Sequence, residues 1–197
     1  MDHPQRSVIR ILGIAGSLRA GSYNRALLRA AQELAPEHVS IQIFDIASIP
    51  LYNADVQADG DPEPVMRLKA AIAASDALLL ASPEYNHSIT GVLKNAIDWA
   101  SVPPRTSPLS GKPVALMGAS TGNTGTARAQ MHLRQVCAFT NMLVLNHPEV
   151  LVGRARERFD EHGRLVDETS RRFVRRLLEA LAEWVARLSA EASSQQD

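Results

Sequence analysis

Residues 8–24 read Val-Ile-Arg-Ile-Leu-Gly-Ile-Ala-Gly-Ser-Leu-Arg-Ala-Gly-Ser-Tyr-Asn. The run Val8–Ile14 is rich in β-branched residues and ends at glycine and serine, which is the pattern of a strand. A helix starts near Ser22, because Ala26, Leu27, Ala30, Ala31 and Leu34 recur on one face of a 3.6-residue period. Strand, glycine-rich turn and helix form the opening unit of an α/β sheet, and the same unit recurs along the chain. Val39-Ser-Ile-Gln-Ile43 alternates strictly, as a strand nearer the sheet edge does. A loop rich in proline and aspartate runs through Pro64, followed by a helix carrying Met66, Leu68 and Ile72. Ala77-Leu-Leu-Leu-Ala81 is uninterrupted and apolar, as buried parallel strands are. A helix over Val92–Ser101 is stopped by Pro103-Pro104. Val114–Met117 is a fourth strand, Ala127–Phe139 a helix, and Met142–Leu145 a fifth strand. The last helix bears Val174, Leu177, Leu178, Leu181, Val185 and Leu188 on one stripe, and Ser189–Asp197 reads as a frayed tail. Five alternations predict an α/β fold of three layers, a five-stranded parallel sheet with helices on both faces.

Composition narrows the function. The 197 residues are 45% hydrophobic and 21% charged, with 21 basic residues against 21 acidic ones. This fits a single domain of ordinary size and excludes a disordered chain or a basic protein that coats nucleic acid. One cysteine, Cys137, cannot form an internal disulfide, and no segment has the length and apolarity of a membrane span. The polar MDHPQRS start does not resemble a signal peptide. A cytoplasmic protein is expected, with neither nucleic acid nor membrane as partner.

In a doubly wound sheet the ligand sits beyond the carboxyl ends of the strands. Three loops occupy those ends: Gly16–Asn24, Ser82–His87 and Gly118–Gly125. The first suits a phosphate. Ser22 is a natural N-cap, the helix behind it offers free N–H groups, Ser17 and Asn24 add neutral donors, and Arg19 adds a cation. Walker A spacing exists between Gly16 and Gly21, but Ser22-Tyr23 stands where Lys-Ser/Thr is required, and the dinucleotide glycine intervals also fail. A mononucleotide-type phosphate site remains. In the second loop Pro83 stiffens a turn whose backbone groups can meet the edge of a flat heterocycle, with Tyr85 as an aromatic wall.

The ordered set Gly16-Ser-Leu-Arg-x-x-Ser-x-Asn24, Pro50-Leu-Tyr-Asn-Ala-Asp55, Pro83-Glu-Tyr-Asn86, Leu93-Lys-Asn-Ala-Ile-Asp-Trp99 and the third glycine-rich loop resembles the NADPH-dependent FMN reductase family, most of all its chromate/quinone reductase branch. The resemblance runs from Val8 to about Leu188. It implies a flavodoxin-like sheet of order 2-1-3-4-5 and an enzyme that passes electrons from NADPH or NADH through FMN to a quinone-, azo-, flavin- or chromate-type acceptor in ping-pong fashion. It places Ser17, Leu18, Arg19, Ser22, Tyr23 and Asn24 around the FMN phosphate. Pro83, Glu84, Tyr85 and Asn86 line the isoalloxazine ring, which Ser120 and Gly122 approach from the third loop. No side chain is required as acid or base. The active form it implies is a homodimer or homotetramer, and the helices bearing Trp99 and bearing Met131, Leu133 and Phe139 offer apolar residues for the contact. One departure is Gly125-Thr126, where relatives often carry two glycines.

Rival signals are weaker. Gly118-Ala-Ser-Thr-Gly122 has the form of a nucleophile elbow, and Ser120, Asp160 and His162 follow in triad order, but Asp160 and His162 lie too close in sequence to approach from separate loops. The histidines lack metal spacing. Nine arginines between Arg154 and Arg187 are offset by i, i+4 partners, namely Asp167–Arg171, Glu168–Arg172, Arg175–Glu179 and Glu183–Arg187. A flavodoxin-type electron carrier or a non-catalytic FMN module shares the fold; oxidation of NAD(P)H by the isolated protein separates either from an enzyme.

Overall fold

The computed structural model describes residues 8–194. Strands β1 (Ile9–Ala15), β2 (Val39–Phe44), β3 (Ala77–Ala81), β4 (Pro113–Ala119), β5 (Leu143–Val144) and β6 (Val150–Val152) form one sheet in which these strands pair in parallel. The order is β2-β1-β3-β4-β5, with β6 also beside β4. Helices α1 (Tyr23–Leu34), α2 (Ala54–Ala58), α3 (Glu63–Ala74), α4 (Gly91–Ser101), α5 (Ala127–Phe139), α6 (Ala155–Arg158) and α7 (Glu168–Ser194) complete the chain.

The central strand shows why the fold has three layers. All five residues of β3 are buried, and their side chains alternate between two cores. Leu79 packs with α1 and α7 through Leu27, Ala31, Val174 and Leu178. Leu78 and Leu80 pack with α3, α4 and α5 through Leu68, Ile72, Leu93, Ile97 and Leu133. A strand sandwiched between helices must be apolar on both faces, which is why its sequence does not alternate.

Four expectations need correction. The fifth position in the sheet is filled in two halves: β5 pairs with Pro113–Val114 and β6 with Met117–Ala119, so the sheet has six strands. Between them lie residues 145–149, where Pro148 has no N–H to continue the ladder. The loop before Pro64 contains α2, capped by Asn53, and α3 starts at Glu63 with Pro64 in its first turn. Met66 faces outward, whereas Val65, Leu68 and Ile72 turn inward. Helix α7 continues to Ser194, past the start of the expected tail, and 195–197 lie outside the described residues.

The expected i, i+4 ion pairs of α7 are also replaced. Among the described residues none of the four closes; Asp167 instead binds Arg158 at 2.6 Å, and Arg171 reaches Glu168 and, from α1, Glu33. Long exposed side chains gain little from any one partner, so tertiary neighbours decide.

Cys137 is fully buried on α5, and burial pushes its thiol up to about 12. Because only the thiolate reacts, thiol reagents at mildly alkaline pH are expected to leave native protein unmodified and to label Cys137 fully in urea. Rapid labelling without denaturant would contradict this placement.

Candidate functional site

The three loops meet at the carboxyl ends of β1, β3 and β4. They enclose a cleft of about 160 Å³ lined by Ser17, Arg19, Ser22, Tyr23, Asn24, Pro83, Glu84, Tyr85, Ala119, Ser120 and Thr121. Nine of these are among the expected site residues. Leu18, Asn86 and Gly122 are not on the cleft wall: Leu18 is exposed, Asn86 occupies a turn, and the Gly122 carbonyl accepts from the Arg154 N–H. Ala119 and Thr121 were missed; only their place at a strand end could have indicated them. Two larger clefts, of about 670 and 630 Å³, lie along β6 and α7 and at the opposite ends of the strands, and no residue of the three loops lines either.

The first loop leaves its donors free. Ser22 caps α1, accepting from the N–H groups of Asn24 and Arg25 at 3.2 and 3.4 Å. No acidic residue sits in the first turn of α1. Among the described residues, the N–H groups of Ser17, Leu18, Arg19 and Tyr23 donate to no protein acceptor, and the Arg19 guanidinium has no carboxylate partner. An uncompensated helix N-terminus with converging donors and a cation is a site for an anion. The Tyr23 ring is turned aside onto Phe159, 5.2 Å between centroids.

Asn24 has a different job from the one expected. It is 2% exposed, and its side chain pairs with both backbone groups of Ala119: its Nδ2 donates to the carbonyl and its Oδ1 accepts from the N–H, each at 2.9 Å. This carboxamide clamps the first loop to the third. Its sequence signal was that of a phosphate donor; its partner lies 95 residues away and left no local mark.

Glu84 forms the second clamp. Helix α5 has no side-chain cap of its own at Thr126. The Glu84 carboxylate supplies one from 44 residues away, accepting from the N–H groups of Arg128 and Ala129 at 2.9 and 3.1 Å and from Arg128 Nη1 at 3.2 Å. Burial works to raise its pKa, but the Ala129 N–H, the Arg128 guanidinium and the Arg128 N–H together outweigh it and hold the carboxyl below its ordinary value. Beyond Glu84 the chain reverses in a two-residue turn, with Tyr85 and Ser88 exchanging backbone bonds at 2.9 Å and Asn86 and His87 both at positive φ. This is the geometry of a type I′ hairpin turn. Tyr85 therefore stands at the mouth of the cleft, with its N–H already used.

The third loop is fixed from below. The Ser120 N–H donates to Val152, and the Ser120 carbonyl accepts from Ala155. A Cβ on Gly118 would overlap Thr126 Oγ1 and the Ser82 carbonyl. Thr126 is fully buried, so its side chain fills the interior and leaves the cleft wall alone. The triad order has no geometric counterpart: Ser120 Oγ accepts from Gly122 N–H, and the Asp160 carboxylate is engaged by Arg164 and the His162 N–H. No group of three or more metal-ligating side chains is found among the described residues, nor any helix long and apolar enough to cross a membrane.

The family model described as NADPH-dependent FMN reductase matches residues 9–157. The chain belongs to that family. It is 55% identical over 180 residues to an NAD(P)H-dependent FMN reductase of Pseudomonas aeruginosa, covering 91% of this chain and 97% of that one. A 2-hydroxy-1,4-benzoquinone reductase from a Burkholderia species is 42% identical, with 90% and 96% covered. Among solved structures, FerB, a flavoenzyme NAD(P)H:(acceptor) oxidoreductase of Paracoccus denitrificans, superposes with a TM-score of 0.84 at 36% identity, covering 91% of this chain and 98% of FerB. Membership makes the protein an NAD(P)H-dependent oxidoreductase of flavodoxin-like fold whose cofactor is FMN.

Two outcomes follow from the clamps. Asn24→Ala strands both Ala119 backbone groups, and is expected to lower stability by about 1–3 kcal/mol and to weaken FMN more than tenfold, read by urea unfolding and flavin fluorescence. Unchanged FMN affinity would show that the loops hold position without it. Glu84→Gln is expected to be less stable than wild type above the ordinary carboxyl value of 4.5. That difference should disappear as pH falls through the depressed value in the folded state, because protonation then removes the same contribution from the wild type. A difference independent of pH would contradict the ionised cap.

Proposed function

We propose that the cleft holds FMN with its phosphate on Ser17–Arg19 and Ser22 and its ring between the Pro83–Tyr85 turn and Ala119–Thr121, and that the enzyme reduces quinones with NAD(P)H. The observation that carries this reading is the first loop: N–H groups and an Arg19 guanidinium without partners among the described residues converge there with a helix N-terminus that has no acid in its first turn. These donors suit a terminal phosphate dianion. FMN, when bound, supplies the two-electron relay between nicotinamide and acceptor. The overall change is NAD(P)H plus quinone plus a proton giving NAD(P)⁺ plus hydroquinone. Donor and acceptor use the same open mouth in turn, which supports ping-pong kinetics.

This chain's residues bind and orient. Within the loops, the N–H groups of Glu84, Asn86 and Thr121 donate to no protein acceptor among the described residues and are available to the edge of a heterocycle. No side chain is assigned as acid or base: Glu84 is engaged as a helix cap, and water reaches the open mouth. The 2-hydroxy-1,4-benzoquinone reductase among the relatives supports a quinone acceptor, and the cytoplasm is the proposed place of work, where the nicotinamide donor is kept.

The reading includes a homodimer or homotetramer. The cleft of one chain, about 160 Å³, is well below the roughly 300–1,000 Å³ of complete ligand pockets, so a second wall is needed on the ring side. Of the apolar residues named for contact, Trp99 and Leu133 belong to the chain's own core, Trp99 donating its Nε1–H to the Pro50 carbonyl. Met131 and Phe139 do face outward, Phe139 at 91% exposure, and Leu51 joins them at 85%.

Arg19→Ala is expected to weaken FMN by about tenfold or more, the worth of one charge-assisted contact, and to leave riboflavin affinity nearly unchanged. Equal losses for both flavins, by fluorescence quenching, would remove the phosphate from this loop. Sedimentation equilibrium at micromolar concentration is expected to show two or four chain masses; a fully active single chain would contradict the shared wall.

A further inference from the structure

Resting on the FMN reading above, we propose that Gly153 is a positioning residue for the flavin ring: it lets residues 152–155 lie against the third loop, and that contact aims the Thr121 N–H at the ring. Gly153 follows β6 and does not line the cleft. Three backbone hydrogen bonds join the two segments. The Ser120 N–H donates to the Val152 carbonyl at 2.9 Å, the Ala155 N–H to the Ser120 carbonyl at 3.0 Å, and the Arg154 N–H to the Gly122 carbonyl at 2.9 Å. Thr121 is thus held from both sides. Its peptide bond to Ser120 is trans and planar, so the N–H and the C=O point in opposite directions. Because the Ser120 carbonyl is turned toward Ala155, the Thr121 N–H is turned away from it. That N–H donates to no protein acceptor among the described residues, and Thr121 belongs to the cleft wall.

So close an approach requires glycine at 153. A Cβ there would overlap the Asn123 carbonyl oxygen and stand 3.1 Å from that of Gly122. Both obstacles are backbone, which cannot rotate aside as a side chain can. The Gly153 φ lies outside the left-handed region, so it is the third loop and not the local conformation that excludes a side chain. The supporting segment is itself anchored. Strand β6 pairs with β4, Gln130 Nε2 on α5 donates to the Val150 carbonyl at 3.0 Å, and Ala155 is fully buried. A methyl group at 153 therefore displaces the loop, and with it the Thr121 N–H.

Gly153→Ala is expected to weaken FMN and riboflavin by the same factor, about two- to tenfold, the worth of one neutral hydrogen bond, because the change falls on the ring and not on the phosphate. At saturating FMN the visible absorption bands of the bound flavin are expected to shift from those of wild type, which a loss of stability alone would not cause. An unchanged spectrum, or a loss confined to FMN, in folded Gly153→Ala overturns the inference and leaves the FMN reading intact; wild-type protein with no affinity for FMN overturns both. Should the variant fail to fold, amide hydrogen exchange of wild-type protein carries the test. The Arg154 and Ala155 N–H groups are expected to exchange at least about tenfold more slowly than solvated amides before FMN is added, and the Thr121 N–H to become protected only when FMN binds. Arg154 and Ala155 amides that exchange freely until FMN binds would show that the flavin orders the loop, and a Thr121 N–H that FMN leaves unprotected would show that it does not meet the ring; either overturns the inference.

Discussion

The side chain of Asn24 accepts from the Ala119 N–H through its carbonyl oxygen and donates one of its own N–H groups to the Ala119 carbonyl, both at 2.9 Å and both out of reach of water. An unpaired buried amide or carbonyl costs about 1–3 kcal/mol, so the first turn of α1 and the end of β4 cannot separate cheaply. Much else depends on that distance. Gly118 lies where a side chain would overlap Thr126 and Ser82, which lets the ends of β3 and β4 and the start of α5 close together. Glu84 then draws the turn after β3 onto the same helix. Two side-chain clamps make three loops into one surface.

That surface has direction. A parallel sheet brings the N-termini of its helices to the same side as its strand carboxyl ends, so every loop there inherits a positive pole. This chain leaves the pole open at α1, where Ser22 is a neutral cap and Arg19 has no carboxylate partner among the described residues, and closes it at α5 with a carboxylate. On the proposed assignment a phosphate is drawn to the first position, and a flat, weakly charged ring fits the second. The fold supplies the site, and the residues at two helix starts decide what it holds.

Much of this was legible in the sequence, for physical reasons. Periods of 2 and 3.6 reflect which faces are buried, and the continuous apolar run of β3 reflects burial on both, so the layers and the three strand-end loops could be read directly. The resemblance added the strand order. Interactions between distant positions were not legible. Asn24 looked like a phosphate donor and Glu84 like a ring liner because their backbone partners lie 95 and 44 residues away, and main-chain groups carry no residue signature. The same holds for Asp167, whose i+4 arginine was a worse partner than Arg158, and for Trp99, whose partner is the Pro50 carbonyl. The split of the fifth strand was visible only as Pro148, a residue that shows where pairing stops and not where it resumes.

A crystal structure of the protein with FMN bound tests the central claim most directly. The account predicts phosphate oxygens within hydrogen-bonding distance of the Ser17–Arg19 N–H groups and Ser22 Oγ, and the ring between the Pro83–Tyr85 turn and Ala119–Thr121, with the Asn24 and Glu84 clamps intact. A phosphate held elsewhere, or a ring seated in the groove along β6 and α7, would contradict it.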